Sequence, residues 1–316
     1  MAQRIYLHIG AHKTGTTAVQ YALNWHRDAL LEAGILFPAA AQYQFSQHRL
    51  AFGLSGRRSP DTDTVPQPDE EMAAIEAEIV ESRAPTIILS SELFFSLGAD
   101  EIGWLRERLD DFDVTVVACI RRQDELFSSL YNQRVKDFGN DFWNQYADFL
   151  PALEAFSPDL DFAARLDGWA EAFGRANMVV QCYERVDDMR AYILSQVGLN
   201  AEMETTERPI ASNPSLSVQA LEIVRQSKAL TPDIKKRERI YQAARQCFDE
   251  KNAHRLMHLD EHIRILEHFR DGNAHVFKTY FGSENLYDPK FLIESPMEPR
   301  IRLTVQDTVR LLVDMA

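Results

Sequence analysis

The stretch IYLHIGAHKTGTTAVQYAL, residues Ile5–Leu23, is the most informative part of the sequence. A short apolar run, Ile5–Ile9, leads into the loop Gly10–Thr17, and apolar side chains with helical spacing follow directly. A strand, a glycine-containing loop and a helix in this order are typical of anion sites, because loop N–H groups and the positive helix end face the same ligand. We therefore predict that this loop holds a phosphate group.

The lysine of this loop is not where nucleotide triphosphatases carry it. Their loops follow the pattern GxxxxGK[ST]. Gly10 and Gly15 keep the glycine spacing, but Thr16 follows Gly15, and Lys13 stands two positions before that glycine. A lysine at this place still offers a point charge to phosphate oxygens. The displacement argues against a nucleotide kinase or ATPase, which we keep as an alternative function.

Short apolar runs alternate with helical patterns over the first two-thirds of the chain. Strands are predicted at 5–9, 86–90, 113–120 and 177–183. Helices are predicted at 16–33, 71–82, 100–109, 123–137, 162–173, 213–227, 233–251 and 258–269, with Asn213 and Pro214 marking the start of the sixth. This alternation predicts an α/β fold, a P-loop-like parallel β-sheet flanked by helices. We expect a single domain over 1–316, with a nucleotide-binding core at 1–185 and a mainly helical C-terminal flank at 186–316.

Composition limits the partners and the compartment. The formal net charge is −14, which disfavours binding to nucleic acid or to anionic membranes. There are three cysteines, of which Cys119 and Cys182 stand in apolar runs and are expected to be buried thiols. Such sparse cysteine, with neither a signal-peptide pattern nor an apolar run of membrane length, favours a cytoplasmic location. The sequence does not predict the oligomeric state.

Two segments resemble the sulfotransferases, enzymes that use 3′-phosphoadenosine 5′-phosphosulfate (PAPS) as donor. The stretch HKTGTT is similar to their phosphosulfate loop, whose order is Lys, Ser or Thr, Gly, Thr, Thr. The stretch VVACIRRQDELFSSLYNQ is similar to their 3′-phosphate site, with Arg121 at a strand end and Ser129 eight residues later. The resemblance covers roughly residues 4–185 and is greatest to bacterial members with an LHIGxHKTGTT loop.

The resemblance implies a transferase that moves a sulfuryl group from PAPS to a hydroxyl or amine acceptor. Lys13 would stabilise charge on the leaving phosphate, and no metal is required. The residues that the resemblance assigns to the cofactor are Lys13, Thr14, Gly15, Thr16, Thr17, Arg121 and Ser129. Two departures are the missing late Arg–Lys–Gly segment and Ala18, which stands where the family often has Trp. The adenine contacts and part of the 3′-phosphate site are therefore not carried over.

Two residues are candidates for the base that takes the acceptor proton. Glu92 follows a buried strand in IILSSELFF. Its place resembles that of the carboxylate base in glycan-modifying sulfotransferases. This resemblance implies that the acceptor is a carbohydrate or a small hydroxyl metabolite. A glutamate in the first turn of a helix is also favoured by the helix dipole alone. His12 adjoins Lys13 and is the second candidate, although a loop histidine can simply contact phosphate or solvent. His8 lies within the strand and is expected to be structural.

Two further functions stay open. The stretch HLDEH, His258–His262, matches the H-x-x-E-H pattern of a zinc hydrolase, and His254 continues the same helical face. A charged, solvated helix face explains it more simply, since no third ligand is evident, and we expect no metal. The other alternative is a non-catalytic nucleotide-binding module on a P-loop scaffold. The intact Lys13 and Arg121 argue against that alternative.

Overall fold

The computed structural model describes residues 3–137, 157–198, 216–248, 257 and 259–293. Five strands form one sheet in the order β2–β3–β1–β4–β5, and all neighbours are parallel. The strands are β1 (Arg4–His8), β2 (Ile35–Leu36), β3 (Thr86–Ser90), β4 (Asp113–Ile120) and β5 (Met178–Cys182). Helices flank this sheet, so the predicted α/β class with a parallel sheet is confirmed.

Thirteen helices are assigned within these described residues. They are α1 (Thr16–Trp25), α2 (Arg27–Glu32), α3 (His48–Leu54), α4 (Pro68–Ser82), α5 (Ala99–Arg108), α6 (Gln123–Lys136), α7 (Phe162–Phe173), α8 (Met189–Gln196), α9 (Val218–Leu230), α10 (Ile234–Cys247), α11 (Leu259–His268), α12 (Arg270–Val276) and α13 (Lys290–Ile293). Short 3₁₀ turns lie at Glu92–Ser96, Arg175–Asn177 and Tyr183–Arg185, and a π turn at Phe277–Phe281.

Helix starts and ends differ from the predictions where local capping decides. The helix predicted over 16–33 is two helices, because the backbone leaves the helical region at His26. The helix predicted from 213 begins at Val218 in the described residues, since the Ser217 side chain accepts the Ala220 N–H. Asn213 and its predicted cap lie outside the described residues. Strand β2 and helices α3, α8, α12 and α13 were not predicted.

Strand β1 is the centre of the sheet and of its core. It pairs with β3 on one edge and with β4 on the other, and Ile5 and Leu7 are fully buried. Because the strands are parallel, the chain segments that follow β1, β3 and β4 all leave the sheet at the same end, where the carboxyl ends of the strands lie. The predicted phosphate loop, Glu92 and Arg121 are those segments. Cys119 and Cys182 are buried free thiols, as predicted.

The chain groups into two compact units. The first contains the sheet with α1–α5, α7 and α8, and the second contains α6 and α9–α13. In the second unit, Gln123 and Asn273 exchange two side-chain amide hydrogen bonds of 2.5 and 3.0 Å. The Lys228 ammonium there donates to the carbonyls of Arg134 and Asp137. The single domain with a core at 1–185 and a flank at 186–316 stays a prediction.

No helix in the described parts of the chain combines the length and the apolar character that crossing a bilayer requires.

Candidate functional site

The loop between β1 and α1 is anchored to β4. The Ile9 N–H donates to the Val117 carbonyl at 2.9 Å, and the Ala11 N–H donates to the Cys119 carbonyl at 3.0 Å. The Thr14 hydroxyl then donates to the Ala11 carbonyl at 2.6 Å, which closes the turn. The loop therefore begins as an extension of the sheet and is fixed before the helix starts.

Two left-handed residues shape the phosphate loop. Lys13 has φ 64° and Gly15 has φ 82°, on either side of Thr14. Left-handed residues next to right-handed ones turn successive N–H groups to one side, which makes an anion nest. Gly15 also precedes α1, and no side chain caps the first turn of that helix. The positive end of α1 is thus presented at the loop, as an anion site requires.

Gly10 makes room for a buried histidine. A Cβ atom at Gly10 would lie 2.8 Å from Nε2 of His8 and 3.0 Å from the Thr16 methyl carbon. The Nδ1 atom of His8 shares a hydrogen bond of 2.8 Å with the Ser90 hydroxyl, between neighbouring strands. Burial lowers the pKa of His8 to about 4, although the Glu92 carboxylate raises it. His8 is therefore neutral at pH 7.

Arg121 stands at the end of β4 and reaches back to the loop. Its Nη1 donates to the Lys13 carbonyl at 3.1 Å, and its guanidinium carbon lies 5.2 Å from the ring centre of Tyr183. Burial lowers the pKa of Lys13, the Glu92 carboxylate raises it, and the Arg121 charge lowers it further. The charges of Glu92 and Arg121 therefore both influence Lys13, as the predicted roles of these residues in one site require.

Glu92 begins the 3₁₀ turn that follows β3, and two side chains approach its Oε2 atom. The Gln20 amide donates to this oxygen at 2.7 Å, and Nε2 of His48 lies 3.6 Å from it. Burial raises the pKa of Glu92, but the electrostatic effects of the neighbouring His48 and His12 side chains and the Gln20 hydrogen bond outweigh it. The net pKa lies below the ordinary glutamate value, so the carboxyl is ionised at pH 7.

His48 and Gln20 belong to the site but were missed in the sequence. His48 opens α3, where its Nδ1 shares a hydrogen bond of 2.7 Å with the Ser91 hydroxyl. Burial lowers the pKa of His48, Glu92 raises it, and His12 lowers it. Gln20 lies four residues after Thr16 on α1, one helical turn from the loop, and that spacing could have indicated it. His48 stands in QFSQHRL, which matches no motif.

The structure brings together most of the predicted site residues. Loop residues, Glu92 and Arg121 all belong to the first unit, at the carboxyl ends of β1, β3 and β4. The charge of His12 acts on both Glu92 and His48, which places it in the same neighbourhood. Ser129 lies half-buried in α6, which belongs to the second unit. The roles of all these residues stay predictions.

The proposed zinc pattern is only partly within the described residues, since His258 lies outside them. His262 shares a hydrogen bond of 2.6 Å between its Nδ1 and Oδ2 of Asp124, and Asp124 also accepts two hydrogen bonds from Arg122. Asp124, Glu125 and His262 offer atoms within 4.8 Å of one another. However, the Arg122 guanidinium already supplies Asp124 with a positive charge. The expectation of no metal stays a prediction.

Comparison with known proteins gives a fold rather than a family. No family model matches this chain. An uncharacterized protein of Archaeoglobus fulgidus is 28% identical over 209 residues, which are 64% of this chain and 55% of that protein. The match thus spans about half of that relative's length.

The fold itself is shared with a solved enzyme. The crystal structure of a sulfotransferase from Alicyclobacillus acidocaldarius matches 91% of this chain and 99% of that one, with a TM-score of 0.50 and 14% identity. At this identity the likeness establishes a sulfotransferase-like fold and nothing finer.

Proposed function

We propose that this protein is a PAPS-dependent sulfotransferase that modifies a hydroxyl or amine group of a carbohydrate or small metabolite. One observation carries the proposal: the loop with Lys13, the carboxylate Glu92 and Arg121 follow three adjacent parallel strands, and the Arg121 guanidinium donates to the Lys13 carbonyl at 3.1 Å. A base and a cation that share one site suit a transfer in which the acceptor loses a proton while the leaving group gains charge. The shared fold of the solved sulfotransferase supports the same reading.

In the proposed reaction, Glu92 takes the proton from the acceptor hydroxyl. The acceptor oxygen then forms a bond to the sulfur of the sulfuryl group, and the bond from sulfur to the phosphate oxygen breaks. Lys13 and the N–H groups of the loop stabilise the negative charge that this phosphate gains. The products are the sulfated acceptor and adenosine 3′,5′-bisphosphate, and the proton stays on Glu92 until solvent removes it.

The two ends of the donor have separate proposed sites. The loop Lys13–Thr17 would hold the 5′-phosphosulfate at the positive end of α1. Arg121 and Ser129 would hold the 3′-phosphate, because a guanidinium fork and a hydroxyl suit a dianion. Adenosine 3′,5′-bisphosphate should therefore be a product that binds well.

The test is transfer of radiolabelled sulfate from PAPS to a panel of sugars, phenols and amines, with and without EDTA. We expect a labelled product, equal rates with and without EDTA, and no ATP hydrolysis. Magnesium-dependent ATP hydrolysis without sulfate transfer would instead indicate a kinase or ATPase. Tight binding of adenosine 3′,5′-bisphosphate without transfer to any acceptor would indicate a non-catalytic binding module.

A further inference from the structure

Three side chains connect α3 to the proposed base. The Ser91 hydroxyl and Nδ1 of His48 are 2.7 Å apart, and Nε2 of His48 lies 3.6 Å from Oε2 of Glu92. Ser91 is fully buried, and His48 is 9% exposed. These contacts therefore link a buried serine, through both nitrogens of an imidazole, to a carboxylate.

The hydrogen bonds of Ser91 decide which nitrogen of His48 carries the proton. Its oxygen already accepts the Leu93 N–H at 3.3 Å. A buried hydroxyl hydrogen needs an acceptor, and among the described contacts of Ser91 that acceptor is Nδ1 of His48. A neutral His48 whose Nδ1 accepts carries its proton on Nε2. The N–H of the ring then faces the carboxylate of Glu92.

Other basic side chains also lie near Glu92, and their effects have to be distinguished from that of His48. His12 and His48 both lower its pKa, while the carboxylate in turn raises the pKa values of His8, Lys13 and His48. His8 precedes the phosphate loop, and His12 and Lys13 lie in it. His48 alone among these basic groups comes from α3 and is fixed by a hydroxyl of the residue before Glu92.

We propose that Ser91 and His48 form a positioning pair for the base, in which Ser91 orients the ring of His48 and His48 directs its Nε2–H to Oε2 of Glu92. This inference rests on the proposed role of Glu92. With Gln20 and His48 both directed at Oε2, that oxygen is held, and Oε1 takes the acceptor proton. His48 is a positioning residue, because it reaches the acceptor only through Glu92.

The first experiment measures the carboxyl group without needing activity. The pKa of Glu92 would be followed by carbon-13 NMR of labelled glutamate, with Glu92→Gln to assign the signal. His48→Ala should raise this pKa by about one unit, because a favourable neighbour is lost. His48→Gln, which can still donate a hydrogen bond, should restore part of the shift. His268→Gln, an exposed histidine of the second unit, is the matched control and should leave the pKa unchanged.

The second experiment measures single-turnover sulfate transfer with the same variants across pH. His48→Ala should lower the rate about ten- to a hundred-fold, the usual cost of losing a group that orients a functional one. It should also move the acidic limb of the profile to higher pH. Affinity for adenosine 3′,5′-bisphosphate should change less than about two-fold, and His48→Gln should recover part of the rate.

A double-mutant cycle tests whether Ser91 acts through His48. Ser91→Ala should slow transfer in the wild type but cost little more in the His48→Ala background, since coupled residues are not additive. Additive losses would overturn the pair. An unchanged Glu92 pKa in His48→Ala would overturn the inference alone. Failure of the wild type to transfer sulfate would overturn the proposed function instead. The carboxyl titration needs no activity, so these two failures can be told apart.

Discussion

The guanidinium of Arg121 donates a hydrogen bond to the backbone carbonyl of Lys13 at 3.1 Å. Lys13 holds a left-handed backbone conformation, which costs a residue with a side chain about 1–2 kcal/mol. The hydrogen bond from the end of β4 helps to offset that cost. Arg121, which we propose binds the 3′-phosphate, therefore also supports the backbone of the loop that we propose binds the 5′-phosphate.

The first prediction concerns the two phosphates of the donor. The wild type should bind adenosine 3′,5′-bisphosphate about ten- to a hundred-fold better than adenosine 5′-monophosphate, because a charge-assisted contact contributes about 1.5–3 kcal/mol. Arg121→Gln should reduce this preference, and Ser129→Ala should reduce it less. Isothermal calorimetry measures both ligands, with the exposed Arg57→Gln as control. Equal wild-type affinities would contradict the assignment of Arg121 and Ser129.

The second prediction separates catalysis from binding at Lys13. Lys13→Met should lower the rate of transfer about 100- to 1000-fold while affinity for adenosine 3′,5′-bisphosphate falls less than about ten-fold. The reason is that its charge matters most when the leaving phosphate becomes more negative. Single-turnover rates and calorimetry give the two numbers, with the exposed Lys235→Met as control. A parallel loss of affinity and rate would make Lys13 a binding residue only.

The third prediction distinguishes the two candidate bases. Glu92→Gln should keep the fold and lower the rate about 100- to 10,000-fold, the range expected on removal of a general base. His12→Asn should cost less. Because the pKa of Glu92 is lowered, the rate should fall only at acid pH, as the carboxylate takes up a proton. An acidic limb near pH 6.5, with an active Glu92→Gln enzyme, would assign the role to His12.

The fourth prediction concerns stability and pH at His8. Its pKa falls from 6.5 to about 4 on folding, so between these values the unfolded chain binds a proton that the folded chain does not. The free energy of unfolding should therefore decrease as the pH falls through this window, by about 3 kcal/mol in total from this residue. His8→Asn, which can still bond to Ser90, should remove that part of the pH dependence.

Urea unfolding at pH 7, 5 and 4 measures this difference. If His8→Asn shows an unchanged slope, the ring of His8 is protonated in the folded protein at acid pH.

The fifth prediction concerns the ion pairs of Asp124. Its side chain is fully buried between Arg122 and His262, and burial raises its pKa less than these two partners lower it. Asp124→Asn should destabilise the protein by about 1–3 kcal/mol, because it removes the charged acceptor of the partly exposed Arg122 guanidinium and of the buried His262 ring. Asp110→Asn breaks the exposed pair with Arg106 and should cost less than about 1 kcal/mol. Equal unfolding midpoints for the two variants would contradict this account.

The elements that the sequence predicts well are those whose pattern is local. Strands β3 and β4 match their predicted ranges because each is a continuous apolar run that is buried on both faces. The phosphate loop was predicted because the residues that shape it are adjacent in the chain. Strand β2 has two residues, too few for a periodic pattern, and only its pairing with β3 makes it a strand.

The parts of the site that depend on tertiary contact were not predictable in the same way. His48 reaches Glu92 only because α3 packs near the end of β3, and nothing in the spacing of the two residues indicates this. The break at His26 likewise interrupts a pattern that reads as one helix. Motifs located the loop and Arg121, whereas the environment that ionises Glu92 is visible only once distant segments are assembled.

Strand β1 lies at the centre of the sheet, but during synthesis it is made before the two strands that pair with it. Arg4 in β1 pairs with Thr86 in β3 and with Asp113 in β4, so β1 leaves the ribosome well before either of its partner strands. Parallel pairings so distant in sequence form slowly, since a long segment of chain must first be ordered. Until β3 and β4 have both been made, at least one edge of β1 stays unpaired, and unpaired strand edges are prone to aggregate.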